Sequence, residues 1–118
     1  QVKISPALAQ VVIRQTTEEV PVVTFGYGEP TLNFYIGRRI EPLGNEEAVV
    51  HWANEPRPGV LIIARNALAT IERQYGPLGL REIAAKKGLN YSKGKVLEVA
   101  ALLRPGGLNE QQQTIRTP

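Results

Sequence analysis

Residues 60–64 read Val60-Leu61-Ile62-Ile63-Ala64, an uninterrupted apolar run. A short run of this kind between turn signals is typical of a strand that is buried on both faces of a sheet. The loop 55–59 precedes it with two prolines and a glycine, and Asn66 follows it as a candidate N-cap of a helix. We therefore predict a strand that is buried on both faces of its sheet.

Outward from this run, helical and strand patterns alternate along the chain. The predicted elements are a helix from Ser5, a strand over 20–25, a short helix over 30–37, a strand over 38–43, a helix that Asn45 caps and that runs to about Asn54, the buried strand over 60–64, and a helix from Asn66 to Tyr75. Alternation of this kind implies a largely parallel sheet with helices packed on its faces.

The last third of the chain is less regular. Residues 80–87 have a helix-forming composition but lie in only eight positions between Gly79 and Gly88, whereas 96–103 is apolar and strand-like. Because residues 90–94 have turn chemistry, we predict an antiparallel C-terminal strand pair. The predicted fold is a layered α/β domain with a mainly parallel sheet over residues 1–104, followed by a polar tail over 105–118.

Composition excludes several classes of chemistry. The chain has no Cys, no Met and no Asp, and His51 is its single histidine. Disulfide frameworks, thiol catalysis, cysteine metal sites and Ser-His-Asp triads are therefore excluded. We predict no catalytic residue, no cofactor and no metal site within this chain.

Charge is unevenly distributed. Residues 1–64 carry five Lys and Arg against seven Glu, whereas residues 65–118 carry nine against four. The densest cluster contains Lys86, Lys87, Lys93 and Lys95. Such a cluster is either a solvated basic face or a surface for an anionic partner. An independent module that binds a polyanion or nucleic acid is therefore the alternative function.

Two further motifs have ordinary structural explanations. Gly26-x-Gly28 lies where dinucleotide-binding loops hold a pyrophosphate, but Thr31 stands where the third glycine of that fingerprint would be. The aromatic residues Tyr27, Phe34, Tyr35 and Trp52 suit a sugar or base ring, although aromatics at helical spacing more often belong to a core. The glycine motif is therefore interpreted as a turn and the aromatic set as part of the core, rather than as ligand sites.

The stretch from Val22 to Arg38, VVTFGYGEPTLNFYIGR, resembles a segment of bacterial membrane glycosyltransferases. These are the protein O-mannosyltransferase-like enzymes, which include the aminoarabinose transferases that modify lipid A. The residues that match are Pro30, Leu32, Phe34, Tyr35, Gly37 and Arg38, with Thr31 in place of Ser and Ile36 in place of Leu. The resemblance extends over about residues 5–104 and is specific only near 22–38.

The resemblance implies a soluble, extracytoplasmic C-terminal domain that follows a bundle of membrane helices. The family transfers sugar from a polyprenyl-phosphate donor, and its essential acidic residues lie in loops of the membrane part. We therefore expect a piece of a longer periplasmic-facing enzyme that is inactive alone. Its expected partners are the membrane-embedded part of the same chain and a lipid-linked sugar or acceptor, and nucleic acid is not expected.

The candidate substrate-binding residues are Tyr27, Glu29, Tyr35 and Arg38. A loop at a strand end that leads into a helix is where open α/β sheets usually bind their ligands. Arg38 can donate two parallel hydrogen bonds to a phosphate, and pairing with a structural glutamate is the alternative for it.

Overall fold

The computed structural model describes residues 4–27, 36–90 and 95–105. The helices are α1 (Ile4–Gln15), α2 (Glu46–Ala53) and α3 (Arg65–Tyr75), and the strands are β1 (Val22–Phe25), β2 (Ile40–Pro42), β3 (Gly59–Ala64), β4 (Arg81–Asn90) and β5 (Lys95–Arg104). Each of these elements matches a predicted one. The short helix predicted over 30–37 lies mostly outside the described residues.

The five described strands form one sheet in the order β2-β1-β3-β5-β4. β1 is parallel to both β2 and β3, whereas β5 is antiparallel to both β3 and β4. Four of these strands therefore run in one direction and β5 runs in the other. The mainly parallel sheet and the antiparallel C-terminal pair are confirmed, and β3 is the central strand.

Helices cover both faces of this sheet. Alternate strand residues pack against α1 on one face, and the others pack against α2 and α3 on the opposite face. All six residues of β3 are buried, as its apolar run predicts. Because full burial of one Leu or Ile side chain stabilises a fold by about 1.5–3 kcal/mol, β3 contributes more to the core than any short surface element can.

The cap predictions for Asn45 and Asn66 differ in outcome. The Asn45 side chain accepts a hydrogen bond of 2.8 Å from the Ala48 backbone N–H, so the predicted cap of α2 is confirmed. The prediction for Asn66 is wrong, because β3 leads directly into α3 and Ala64 takes the N-cap position without a side-chain bond. Asn66 lies instead inside the first turn of α3.

Candidate functional site

The carboxyl end of β1 carries the first of the predicted site residues. Gly26 has φ +69, and a Cβ built there would lie 3.0 Å from the Cβ of Ala67 in the first turn of α3. Glycine is therefore required both by the backbone conformation and by the close approach to α3. Tyr27 follows it, half-buried, and packs against the core on the α1 face of the sheet.

An ion-pair cluster lies beside the start of α3. The guanidinium of Arg65 donates a hydrogen bond of 2.7 Å to Glu82 on β4, and its second terminal nitrogen lies 3.5 Å from Glu98 on β5. The hydrogen bond from Arg65 holds the pKa of Glu82 below its usual value, and the same bond raises the pKa of Arg65. Both carboxylates thus face a fixed cation, and this arrangement ties α3 to the C-terminal strand pair.

Arg38 lies at the other end of the sheet, two residues before β2. Its guanidinium donates hydrogen bonds to the Thr16 hydroxyl at 2.8 Å, the Thr16 carbonyl at 3.1 Å and the Val20 carbonyl at 3.3 Å. Thr16 immediately follows α1, and a cation at a helix C-terminus is stabilised by the helix dipole. The described partners of Arg38 are therefore neutral oxygens of the α1–β1 connection rather than a glutamate.

Tyr27 and Arg38 do not converge on one point. Since Val22 pairs with Ile40, Arg38 lies level with Val20. At about 3.3 Å per residue, the separation from Tyr27 along the strand direction is up to roughly 23 Å. The other two predicted site residues, Glu29 and Tyr35, lie outside the described residues. Tyr27 thus lies beyond the carboxyl end of β1, and Arg38 lies before the amino end of β2, at the opposite end of the sheet.

A cleft of about 1020 Å³ lies at the same end of the sheet as Arg38, near the amino end of β1. Its walls include Arg14, Thr16 and Thr17 from the end of α1, and Arg81 and Leu103 from the C-terminal strand pair. None of the described residues that line it carries a carboxylate or an imidazole. Its two arginines suit an anionic group, whereas acid–base catalysis has no participant there.

Sequence reasoning did not find this cleft. Arg14, Thr17 and Arg81 carry no local motif, and positions 14–17 and 81 meet only because α1 packs against β4. A local sequence signal for the cleft is therefore lacking, since its walls come from distant parts of the chain.

A second cavity, of about 590 Å³, lies beside Trp52 and Arg104 on the face of the sheet that α2 and α3 cover. Arg104 is only 3% exposed and stacks over the Trp52 ring with 4.0 Å from its central carbon to the ring centre. It donates hydrogen bonds to the carbonyls of Trp52 and Arg57, and its Nη1 atom lies 3.9 Å from the Oε1 atom of Glu55. Burial lowers the pKa of Arg104, which shows that desolvation opposes this arrangement.

The aromatic lining considered from the sequence is divided by the sheet. Trp52 packs in the core on the α2 and α3 face, whereas Tyr27 packs on the α1 face. The sheet separates these two rings, so they cannot stack on one sugar. His51, next to Trp52, is exposed, with its imidazole 3.8 Å from the carboxylate of Glu55 in an i,i+4 pair on the helix surface.

Two other features are absent from the described ranges, a cluster of metal ligands and a membrane-spanning helix. Histidine and glutamate side chains there do not gather in a group of three or more that would hold a metal ion. Across residues 4–27, 36–90 and 95–105, no helix combines the length and apolar content needed to cross a bilayer.

Comparison with known proteins gives a fold match. No protein-family model and no curated protein matches the chain. The fold is similar to the crystal structure of ArnT from Cupriavidus metallidurans in the apo state, with a TM-score of 0.62 and 9% sequence identity. The match covers 85% of this chain and 20% of the ArnT chain, so this chain spans about a fifth of the length of ArnT. ArnT is a membrane glycosyltransferase, and at this identity the likeness is one of fold.

Proposed function

We propose that this chain is a soluble accessory domain of a polytopic membrane glycosyltransferase. The enzyme transfers a sugar from a polyprenyl-phosphate donor to a lipid or protein acceptor, and this domain lies on the periplasmic side of the membrane. The observation that carries the proposal is the fold match, in which 85% of this chain corresponds to a fifth of ArnT. The resemblance of residues 22–38 to the same class of enzymes, noted from the sequence, supports it independently.

The chemistry of the described residues supports the accessory role. Glu82 and Glu98 face Arg65, Arg104 is buried against Trp52, and His51 lies on a helix surface. These groups hold the fold together or face solvent, so in the proposed enzyme the reacting groups belong to the membrane part. The domain then caps the active site or presents the acceptor.

The segment between Tyr27 and Arg38 is the proposed contact with that membrane part or with the acceptor. Tyr27 packs on the core at its first end, and Arg38 is bonded to the α1–β1 connection at its last end. Glu29 and Tyr35 are its proposed substrate contacts, and Tyr27 and Arg38, at its two ends, are the remaining candidates.

The test of the enzyme class uses the intact protein. The reading frame upstream of Gln1 is expected to encode a run of apolar spans, and membranes that contain the intact protein are expected to transfer labelled sugar from a polyprenyl-phosphate sugar to a lipid or protein acceptor. The 118-residue chain alone is expected to show no transfer. A frame without apolar spans, or a membrane protein that does not consume this donor, refutes the proposed class.

The test of the segment compares substitutions in the intact protein. Glu29→Gln and Tyr35→Phe are expected to lower transfer at least tenfold, since a lost interaction of about 1.4 kcal/mol in the transition state has that effect. Glu18→Gln, an exposed glutamate outside the segment, is the matched control. If the segment variants transfer sugar at the control rate, the segment does not contact substrate.

A further inference from the structure

The cleft near the amino end of β1 has both charged and apolar side chains in its walls. Its charged side chains are Arg14, at the end of α1, and Arg81, the first residue of β4. The apolar residues that line it are Val20, Pro58, Leu80, Leu103 and Pro105. Its volume of about 1020 Å³ is that of a pocket for a drug-sized ligand, and a single small anion would leave the apolar lining in contact with water. The lining therefore fits a larger ligand that has both acidic and apolar groups.

Neither arginine of the cleft is paired with a carboxylate of the described residues. Arg14 donates a hydrogen bond of 2.8 Å to the side-chain oxygen of Gln10, which is a neutral partner. The ion pairs among the described residues are made by other cations, namely His51, Arg57, Arg65 and Arg104. The guanidiniums of Arg14 and Arg81 can therefore bind a carboxylate without breaking an ion pair in the described part of the chain.

The acidic residues next to the cleft in the sequence lie outside its lining. Glu18 and Glu19 follow the end of α1, but Glu18 is exposed outside the cleft and Glu19 lines the second cavity instead. Glu82 follows Arg81, and its carboxylate accepts the hydrogen bond of 2.7 Å from Arg65. The described lining thus carries two positive charges and no negative charge, which favours an acidic ligand.

The helix end beside the cleft favours a carboxylate over a phosphate. Phosphates are commonly bound by free backbone N–H groups at helix N-termini, whereas this wall is the C-terminus of α1, where the helix dipole opposes an anion. Arg38 offsets that dipole, because its guanidinium donates hydrogen bonds to the Thr16 hydroxyl at 2.8 Å and to the Thr16 carbonyl at 3.1 Å. The Thr16 hydroxyl itself donates to the Val12 carbonyl at 2.6 Å, so it has no proton for a ligand. The remaining cationic donors are the arginine forks, which match the planar carboxylate.

We propose that this cleft binds an acidic, partly apolar peptide segment of a partner protein. An extended peptide places alternate side chains on opposite sides, so carboxylates on one side can pair with Arg14 and Arg81 while the apolar side chains between them contact the apolar lining. Recognition of acidic motifs by arginine clusters is a recurring way in which proteins bind peptides. The inference does not rest on the proposed function, because it uses only the described residues of this chain.

The test measures peptide binding to the 118-residue chain by fluorescence anisotropy. The probe is a labelled peptide with blocked ends and the sequence Glu-Leu-Glu-Leu-Glu, which is expected to bind saturably. Gln-Leu-Gln-Leu-Gln keeps the shape but lacks the carboxylates, and it is expected to bind at least about tenfold more weakly. Glu-Ser-Glu-Ser-Glu keeps the charge but lacks the apolar side chains, and it is also expected to bind about tenfold more weakly, because two partly buried leucines are lost.

Variants of the chain locate the binding in the cleft. Each exposed ion pair contributes a factor of about three to five, so R14Q/R81Q is expected to weaken binding about tenfold or more. R73Q/K87Q removes two exposed charges elsewhere and lowers the net charge equally, but it is expected to weaken binding less than about twofold, because salt screens distant charges. The unfolding midpoint of each variant is measured in parallel, and the single variants R14Q and R81Q replace the double variant if it fails to fold.

Three results overturn the proposal. The first is no saturable binding of the Glu-Leu-Glu-Leu-Glu peptide, and the second is equal loss of binding in R14Q/R81Q and R73Q/K87Q. The third is displacement of the peptide by inorganic phosphate, or by micelles of dihexanoylphosphatidylglycerol, at a lower concentration than by unlabelled peptide, which would assign the cleft to a phosphate group. Because peptide binding is measured on this chain and sugar transfer on the intact protein, either result can fail while the other holds.

Discussion

Arg104 is the buried charge on which the end of α2 depends, and we expect Arg104→Met to lower the free energy of unfolding by about 2–3 kcal/mol. The guanidinium is 3% exposed, and it joins the last strand of the sheet to the Trp52 and Arg57 carbonyls. Methionine keeps most of the apolar volume but donates no hydrogen bond. The substitution therefore tests the polar contacts rather than the packing.

The magnitude follows from what each contact contributes. A hydrogen bond from a charged donor contributes about 1.5 kcal/mol, and stacking of a desolvated cation on Trp52 about 1 kcal/mol more. The Trp52 carbonyl keeps another partner, because it also accepts the Glu55 backbone N–H at 3.2 Å. Burial lowers the pKa of Arg104, so methionine also recovers part of the desolvation cost. The net loss is accordingly smaller than the gross sum of the contacts.

The assay is urea unfolding followed by fluorescence. Trp52 is the only tryptophan of the chain and lies under the substituted side chain, so its emission reports on this cluster directly. Arg73→Met, on the exposed face of α3, is the matched control and should change stability by less than about 0.5 kcal/mol. If Arg104→Met falls within that same range, the guanidinium does not hold α2 in place and the reasoning is refuted.

Four further predictions concern single contacts. Gly59→Ala should cost about 1–3 kcal/mol in urea unfolding, because its Cβ would lie 2.7 Å from the Trp52 ring, whereas Gly44→Ala, in open space, should cost less than about 0.5 kcal/mol. Arg38→Ala should lower stability by about 1–2 kcal/mol in thermal unfolding, since three hydrogen bonds at the end of α1 are lost; an unchanged midpoint would contradict this. The pKa of Glu82 is lowered in the fold, so its ion pair stabilises the fold above the usual carboxyl pKa of about 4.3, and this stabilisation is lost as the pH falls below that value. The difference in unfolding free energy between the unchanged chain and Glu82→Gln should therefore stay below about 1 kcal/mol at neutral pH and disappear in acid. Asn45→Ala should cost about 1 kcal/mol and reduce helical circular dichroism, and no change would mean that the cap is dispensable.

The elements of the fold were predictable because their signals are local. The run 60–64 needs no distant partner to be recognised as a buried strand, and it is the central strand β3. Gly79 and Gly88 leave only eight positions between them, and the turn chemistry of 90–94 beside the apolar run 96–103 led to the predicted C-terminal strand pair. The prediction for Asn66 failed because cap residues were assigned on the assumption of a loop, and β3 leads into α3 without one.

The Arg104 cluster was not predictable from sequence. An arginine at the end of a strand is ordinarily exposed, and its partners Trp52 and Arg57 lie about half the chain away. Only the antiparallel register that pairs Gly59 with Arg104 brings the guanidinium onto the tryptophan ring. The absence of a side chain at Gly59 leaves the space for it, which a local pattern does not reveal.

The stretch 22–38 illustrates why a sequence motif need not be a single site. Its first part forms β1, and the chain must then return to the starting edge because β2 runs parallel to β1. The arginine that ends the stretch bonds the α1–β1 connection at that edge, and Gly37 before it has φ +71, a conformation that favours glycine. Part of the resemblance to membrane glycosyltransferases therefore reflects the requirements of the fold itself. Because Arg38 donates hydrogen bonds to the α1–β1 connection, a variant of Arg38 would change the stability of the fold as well as any contact with substrate. The proposed contact is therefore tested more directly at Glu29 and Tyr35.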